Sequence, residues 1–436
     1  MDPTLDNRRR FLKTMPLALA GPLVVPQGVF GEPAAPATAS DLPRVAVIGT
    51  GERVSHLLGV DATPGQMRIV ALADCNLRRI GGFVEKVKER HPEAEQATRY
   101  QHYREMLDKE KIDAVFVSTP THGRVLPCIH ALQVGIDVYA EKPETLTIEE
   151  GQALIKAVRH YQRVLQGGTQ GCSNPINRWG VEQLQSGVIG KIEKVTMPNF
   201  SGPKDYTPLA EPHPVPEGLD WNEWCNQAPL FPCDPGLLGS LWSWGPYRPF
   251  DGGGAGRGVT NLGAHAFEQA QRGLGKEFES PVETWPTEPG NPNSPISMRY
   301  ADGTLLEMVG DPETGPAFGA IYFGSTGKIE INRDQVRSNP PEIAARKPTF
   351  PENPNDAALH VTNFLECVRS RQDPRCPVEA VHRHMVLCHL ANVTRELSRR
   401  LRFDPVADRF IDDDEANRHP SVSRPRRAGF ELPTIG

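Results

Sequence analysis

From Arg44 onward, short uninterrupted apolar runs alternate with stretches whose apolar residues recur every three or four positions. The runs are RVAVIG, RIVALAD, IDAVFVSTP, VYAE and RVLQGG. A strand with one wet face needs a polar residue at every second position, so unbroken runs of this length predict strands buried on both faces. Between them lie LRRIGGFVEKVKERH, YREMLDKEK, RVLPCIHALQVG and TIEEGQALIKAVRHY, which read as amphipathic helices. Strand and helix in alternation predict a parallel, doubly wound sheet over about residues 42–168.

The period changes in the second half. NRWGVEQLQSGVIG predicts a helix and KIEKVTMPNF a strand. PISMRYADGTLLEMVG reads as a hairpin turning at Asp302-Gly303, and AIYFGSTGKIEIN as another. Two helices, DAALHVTNFLECVRSR and PVEAVHRHMVLCHLANVTRELSRRL, close the domain. Strands clustered in hairpins with flanking helices predict an α+β domain over 169–405, with a large, mainly antiparallel sheet and a C-terminal tail at 406–436. The expected fold class is therefore α/β followed by α+β. Between Ser201 and Gly258 the chain is rich in Pro, Gly and Trp, and a structureless loop of that size is uncommon unless it serves function. It reads as a lid, in which Trp221, Trp224, Trp242, Trp244 and Tyr247 either offer flat faces to sugar rings or glue the loop to the core.

Length and charge narrow the classes. A chain of 436 residues is too long for one ordinary core, which agrees with two domains. The formal net charge of -6 excludes nucleic acid as the main partner, because phosphate tracking needs a basic surface. At the N-terminus, Arg8, Arg9, Arg10, Phe11, Leu12 and Lys13 precede an apolar run broken by Pro16, Gly21, Pro22 and Pro26. That run falls short of the ~20 residues needed for a membrane span. The pattern is similar to a twin-arginine export signal over residues 1–39, cleaved near Ala37-Thr38-Ala39 or Ala35. The expectation is a periplasmic protein that meets the twin-arginine translocase during export. A disordered basic tail is the alternative. Eight cysteines suit an oxidising compartment, and Cys225/Cys233 and Cys367/Cys376 are close enough in sequence to pair. No Cys-x-x-Cys or Cys/His ligand spacing is present, so no structural metal is expected.

VIGTGERVSHL follows the first strand and opens a helix. Gly49 and Gly51 sit where a dinucleotide-binding Rossmann domain needs a tight turn and close approach of backbone to pyrophosphate, with Val54 at the third position. Glu52 and Arg53 continue the same motif and border the cofactor. Asp74 ends the second strand, where a carboxylate accepts the ribose hydroxyls of NAD and repels the extra phosphate of NADP. Arg78 and Arg79 follow and would instead hold that phosphate, or form a solvated face. NAD is the favoured cofactor and NADP the alternative. Thr119-Pro120 ends a further strand at the same edge and walls the nicotinamide side, while His122 reads as a helix cap.

Glu141-Lys142-Pro143 closes VYAE at that edge. Pro143 stops the strand and removes a ladder donor, and a lysine desolvated there can hold a substrate hydroxyl and steady the developing oxyanion. The chemistry also needs a proton acceptor. His265 in NLGAHAFEQAQ is the candidate, one helical turn beyond Asn261, with a satisfied core histidine as the competing reading.

At this point the chain resembles the Gfo/Idh/MocA oxidoreductases. The likeness is carried by GTGERVSHL, DVYAEKPETLTIEEGQALIKAV, VLQGGTQGCSNP, VPEGLDWNEW, NLGAHAFEQAQ and FLECVRSRQDPRCPVEAVHRH with DDDEANR. It implies that Lys142 is the catalytic lysine, Glu141 a nicotinamide-ribose contact and His265 the acid/base, with Asn261 orienting the substrate. It further implies a substrate side that includes Gln170, Trp221, Trp244 and Tyr247, and a homo-oligomer formed through the C-terminal sheet. Three positions depart from the family pattern: Asn261 and Glu268 stand where aspartate is usual, and Cys172 where relatives tend to carry arginine. The expected activity is hydride transfer between a sugar or polyol carbon and a tightly bound NAD(P). Redox-neutral glycoside cleavage or epimerisation, and a non-catalytic sugar-binding protein, are the alternatives.

Overall fold

The first sheet consists of six parallel strands: β1 (Arg44–Ile48), β2 (Arg68–Ala73), β3 (Thr98–Tyr100), β4 (Ala114–Val117), β5 (Asp137–Ala140) and β6 (Leu165–Gly167). A computed structural model of the chain describes residues 42–311, 315–350 and 355–436, and the segment read as an export signal lies outside these described residues. The strand order is β3-β2-β1-β4-β5-β6, so the chain changes direction between β1 and β4 and opens a crevice at the strand ends there. Val45, Ala46, Val47, Val115, Phe116 and Val117 are almost fully buried, as unbroken apolar runs require. β3 has no such run: two of its three residues are exposed, because it forms the edge of the sheet.

One face of this sheet is covered by the helices Tyr103–Lys109, Val125–Gln133 and Ile148–Tyr161. The crossovers from β4 to β5 and from β5 to β6 share a hand, so their helices lie on that same side. Phe116 and Tyr139 would otherwise face water on the opposite side. The helix Asp356–Ser370, expected to close the C-terminal domain, covers them instead, with Val361, Phe364 and Leu365 in one core with Val45, Phe116 and Tyr139.

The second sheet has nine strands: β7 (Ile192–Pro198), β8 (Glu283–Pro286), β9 (Ile296–Arg299), β10 (Leu305–Gly310), β11 (Ala320–Gly324), β12 (Gly327–Asn332), β13 (Gln335–Asn339), β14 (Leu401–Asp404) and β15 (Arg409–Phe410). Their order is β13-β12-β11-β7-β10-β9-β8-β14-β15, and β7 with β10 is the one parallel strand pair of this second sheet among the described residues. Both expected hairpins form. β9 and β10 turn through Gly303 at φ +90°, closed by Tyr300 N–H on Thr304 O at 3.0 Å, and β11 pairs antiparallel with β12. Helices Leu262–Leu274 and Val378–Leu397 pack on this sheet's inner face. The last residues are not a free tail: β15 pairs with β14, and Ile435 is buried in the first sheet's core. No helix among the described residues is long and apolar enough to cross a membrane.

Gly49 is the tightest point of the crevice. It sits at φ +82°, and a Cβ there would lie 2.7 Å from Thr119 N. Gly49→Ala therefore combines a left-handed backbone with a clash between β1 and β4, and should lower stability by about 1–3 kcal/mol. An unchanged urea midpoint for this variant would contradict the close strand contact.

Candidate active site

The loop after β1 is held by a carboxylate. Asp74 Oδ2 accepts from Thr50 N at 2.8 Å and Thr50 Oγ1 at 2.9 Å, and Oδ1 accepts from Asn76 N at 2.9 Å. Burial raises the Asp74 pKa against the pull of these donors and of Arg79. Asp74 does not cap the following helix; Asn76 does, accepting from Arg78 N. Arg78 pairs with Glu217 at 3.2 Å, and Arg79 donates to Gly239 O at 2.7 Å and to Leu238 O. Both arginines thus engage the 201–258 segment. The five-residue helix Glu52–His56 starts at Gly51, with Glu52 exposed and Arg53 turned inward toward β5.

At the end of β5, Lys142 is half-buried and donates through Nζ to Asn261 Oδ1. Burial pushes its pKa down to about 8, with Glu141 opposing and Arg53 reinforcing the shift. Glu141 is buried, and its Oε1 accepts from Arg53 Nε at 2.9 Å and Gln170 Nε2 at 3.1 Å. Gln170 also donates to Tyr139 Oη at 2.9 Å, so its amide nitrogen braces Glu141. Asn261 directly precedes the helix Leu262–Leu274 and donates to Gly256 O at 2.9 Å.

His265 lies in the first turn of that helix and is buried. Its pKa falls well below the ordinary histidine value, through burial first and then through Lys142 and Arg333. It is a neutral imidazole at neutral pH. A narrow cleft opens beside it, lined by Gly171, Asn177, Glu268, Gln269, Phe318 and Arg333. Asn177 Oδ1 and Gln269 Oε1 are buried there without a hydrogen-bond partner among the described residues. Burial lifts the Glu268 carboxyl to about 7, opposed by Arg272 one turn on.

The expected lid has a core of its own. Trp221 stacks on Trp224 with ring centroids 4.6 Å apart, and its Nε1–H donates to Phe231 O at 2.8 Å. Trp221 thus packs the segment and offers no free face. Trp244 and Tyr247 are partly buried against the same cluster, while Trp242 remains exposed. His122 is buried too, with Nε2 2.7 Å from Trp224 O. Thr119 Oγ1 donates to Gly123 O at 3.0 Å, and Pro120 leads into the turn Thr121–Gly123.

Sequence reasoning missed Asp251, Thr260 and Arg124. Asp251 is fully buried and accepts the hydroxyls of Thr121 and Thr260. Arg124 donates to Pro143 O and Thr119 O. The one available signal was an acid directly before the Gly252-Gly253-Gly254 run. Neither cysteine pair that is close enough in sequence to bond does so: all eight thiols are free, and Cys376 packs against Cys172. No group of three His, Cys, Asp or Glu side chains among the described residues could hold a metal ion.

Residues 43–169 match the oxidoreductase family's NAD-binding Rossmann fold, and residues 182–432 match its C-terminal alpha/beta domain. A glycosyl hydrolase family 109 protein of Shewanella pealeana is 28% identical over 176 residues, covering 36% of this chain and 38% of that protein. The NAD+-dependent scyllo-inositol 2-dehydrogenase of Bacillus subtilis is 34% identical over 89 residues, covering 20% of this chain and 25% of the relative. The chain thus spans about a quarter to two-fifths of the length of these curated relatives. The crystal structure of aldose-aldose oxidoreductase from Caulobacter crescentus superposes with a TM-score of 0.58 at 16% identity, covering 83% of this chain and 100% of that one. With both domain matches together accounting for most of its length, and an NAD-binding Rossmann domain carrying Lys142 at its strand edge, the chain belongs to the Gfo/Idh/MocA oxidoreductase family.

Proposed function

We propose that this oxidoreductase acts on a CH–OH carbon of a sugar or polyol. The observation that carries the reading is the half-buried Lys142 ammonium, whose hydrogen-bond partner is a neutral amide, set close to a neutral His265 at the switch-point edge of the sheet. The cofactor fits this edge, because the loop from Gly49 to Gly51 leads from β1 into the helix Glu52–His56 beside the buried Asp74 carboxylate, and its backbone would meet the pyrophosphate there. Asp74 would take the adenosine ribose, Thr119 and Pro120 would border the nicotinamide, and Glu141 its ribose. With Arg78 and Arg79 engaged by the 201–258 segment, the arrangement favours NAD. When bound, NAD accepts the hydride that leaves the substrate carbon.

The chain's own groups handle the oxygen and its proton. Lys142 donates to the substrate oxygen and stabilises its growing negative charge. His265, neutral and therefore a free acceptor, takes the hydroxyl proton, and Asn261 holds Lys142 in place. The cleft beside His265 is lined by the polar side chains of Asn177, Glu268, Gln269 and Arg333, which supports a polyhydroxylated substrate. Lys142→Ala should abolish sugar-dependent turnover while cofactor stays bound. His265→Ala should slow it roughly 10²–10⁴-fold. Reduced-nicotinamide absorbance with a panel of sugars and polyols reads both, and full turnover in Lys142→Ala would sink the mechanism.

The pH dependence has a definite sign. Lys142 has its pKa lowered to about 8, so the ammonium is present below that pH and lost above it. Histidine titration is displaced well below the neutral range. The single-turnover rate should therefore be flat through neutrality and fall as pH rises through about 8. A rate that rises across that range would make neutral Lys142 the base and overturn its role as donor.

The glycosyl hydrolase relative supports a second reading, in which oxidation is reversed within one cycle and the net reaction is redox-neutral. Export through the twin-arginine translocase to the periplasm, proposed from Arg8 to Lys13, favours the same economy of cofactor, since no free NAD(P) pool is expected there. We propose that the protein assembles as a homo-oligomer through its second sheet. NAD should then survive gel filtration of the purified protein, with either ping-pong kinetics between two sugars or glycoside cleavage without net reduction. Protein isolated without nucleotide, releasing NADH steadily, would show an ordinary dehydrogenase.

A further inference from the structure

The site lacks a carboxylate where the charge argument wants one. Lys142 Nζ meets the amide oxygen of Asn261, which orients an ammonium but does not neutralise it. Glu141, its neighbour in sequence, is engaged by Arg53 and Gln170. Asp251 is different. Its side chain is fully buried, and its two oxygens accept hydroxyls from opposite sides of the crevice. Thr121 follows the Thr119-Pro120 wall, and Thr260 directly precedes Asn261. The local backbone is built closely around this carboxyl, since a Cβ on Gly254 would lie 2.6 Å from it. The link to the lysine runs through Thr260 to its neighbour Asn261, which accepts from Lys142, while Arg124 bonds the carbonyls of Thr119 and Pro143 on the other side.

We propose that Asp251 is a positioning residue of the active site: a buried anion that keeps Lys142 charged and ties the loops at Thr121 and Thr260 together, in place of a carboxylate at position 261. The inference rests on the reading of Lys142 as the cation that binds the substrate oxygen. The groups that act on Lys142 are few. Glu141 and Asp251 favour the ammonium, Arg53 and Arg124 disfavour it together with burial, and His265 nearby is neutral. Glu141 faces Arg53 directly, at 2.9 Å, so much of its charge is already offset. Burial raises the Asp251 carboxyl above its ordinary value, and the two threonine hydroxyls, Arg124 and Lys142 oppose that rise and favour its charge.

The test is the titration of Lys142 itself, read without turnover. The full-length protein is acetylated with trace acetic anhydride across a pH series, and the modified Lys142 peptide is quantified by mass. Asp251→Asn removes the charge and keeps the shape, and should lower the Lys142 midpoint by about one pH unit. Thr260→Val removes one hydroxyl and keeps the charge, and should leave the midpoint where it is. Where turnover is measurable, its alkaline limb should move with the labelling midpoint in Asp251→Asn and stay in Thr260→Val. If no sugar is turned over but the midpoint still shifts, the functional reading fails and the role of Asp251 stands. A midpoint equal to the parent's in a folded Asp251→Asn protein overturns the proposal. Asp251→Ser, which leaves space for water beside both threonines, provides a second charge-removing variant. If neither variant folds, Asp251 is purely structural and the proposal falls.

Discussion

An ammonium held partly out of water at the end of a buried strand is the constraint around which the catalytic half of the molecule is arranged. Desolvation draws Lys142 down to about 8, and each neighbouring charge moves it further in one direction or the other. Arg53 would deprotonate it, so Arg53 is paired with Glu141, and at 3.6 Å with Asp61. Gln170 in turn fixes Glu141. The lysine's direction is set by Pro143 on one side, whose carbonyl is held by Arg124, and by Asn261 on the other. A cation kept in this way is a strong donor to an oxygen that becomes negative, since little water competes with it.

The same constraint explains how His265 differs from an ordinary core histidine. Its ring is buried beside Phe318, with centroids 5.7 Å apart, and it faces the charges of Lys142 and Arg333. Protonation is therefore opposed by solvation and by charge together, and the ring stays a free acceptor. That favours taking up a hydroxyl proton in a step where the substrate's own negative charge forms nearby. It disfavours storing the proton for long. Asn261 sharpens this, because an amide does not offset an imidazolium as a carboxylate would.

What the sequence disclosed follows from how local each feature is. The parallel sheet was legible because strands buried on both faces need no partner to be recognised. The hairpin at Asp302-Gly303 was legible because its turn chemistry is contained in adjacent residues. β3 was not, since an edge strand of three residues carries no apolar run. The helix Asp356–Ser370 was legible as amphipathic but not as the cover of the first sheet, because a periodic pattern declares a buried face without naming what covers it. Lys142 was readable from the strand and proline around it. Asp251 was not, for an acid in a glycine-rich loop gains its meaning only from Thr121, 130 positions away.

The 201–258 segment shows why its aromatic residues were easier to find than to interpret. Richness in tryptophan fits both a sugar platform and a miniature core, and the geometry separates the two residue by residue. Trp221 and Trp224 stack on each other among Cys225, Ala228, Leu237 and Phe250, so their faces are already covered. The segment leaves and rejoins the sheet at one place, where Ser201 N donates to Arg257 O and Val259 N donates to Ser201 O. It then docks on the end of β2 through Leu77 N on Gly218 O, Asp220 N on Cys75 O and Arg79 on Gly239 O. Other elements hold it as well: His122 packs edge-on against Trp224 and Phe250, Gln227 Nε2 donates to Glu150 Oε1 at 2.7 Å, and Arg427 donates to the carbonyls of Asn226 and Ala228. A body with its own core and several separate attachments is held in place as a unit, so its bearing on the ribose end of the crevice, where Arg79 bonds Gly239 O, belongs to the segment as a whole and not to any single tryptophan.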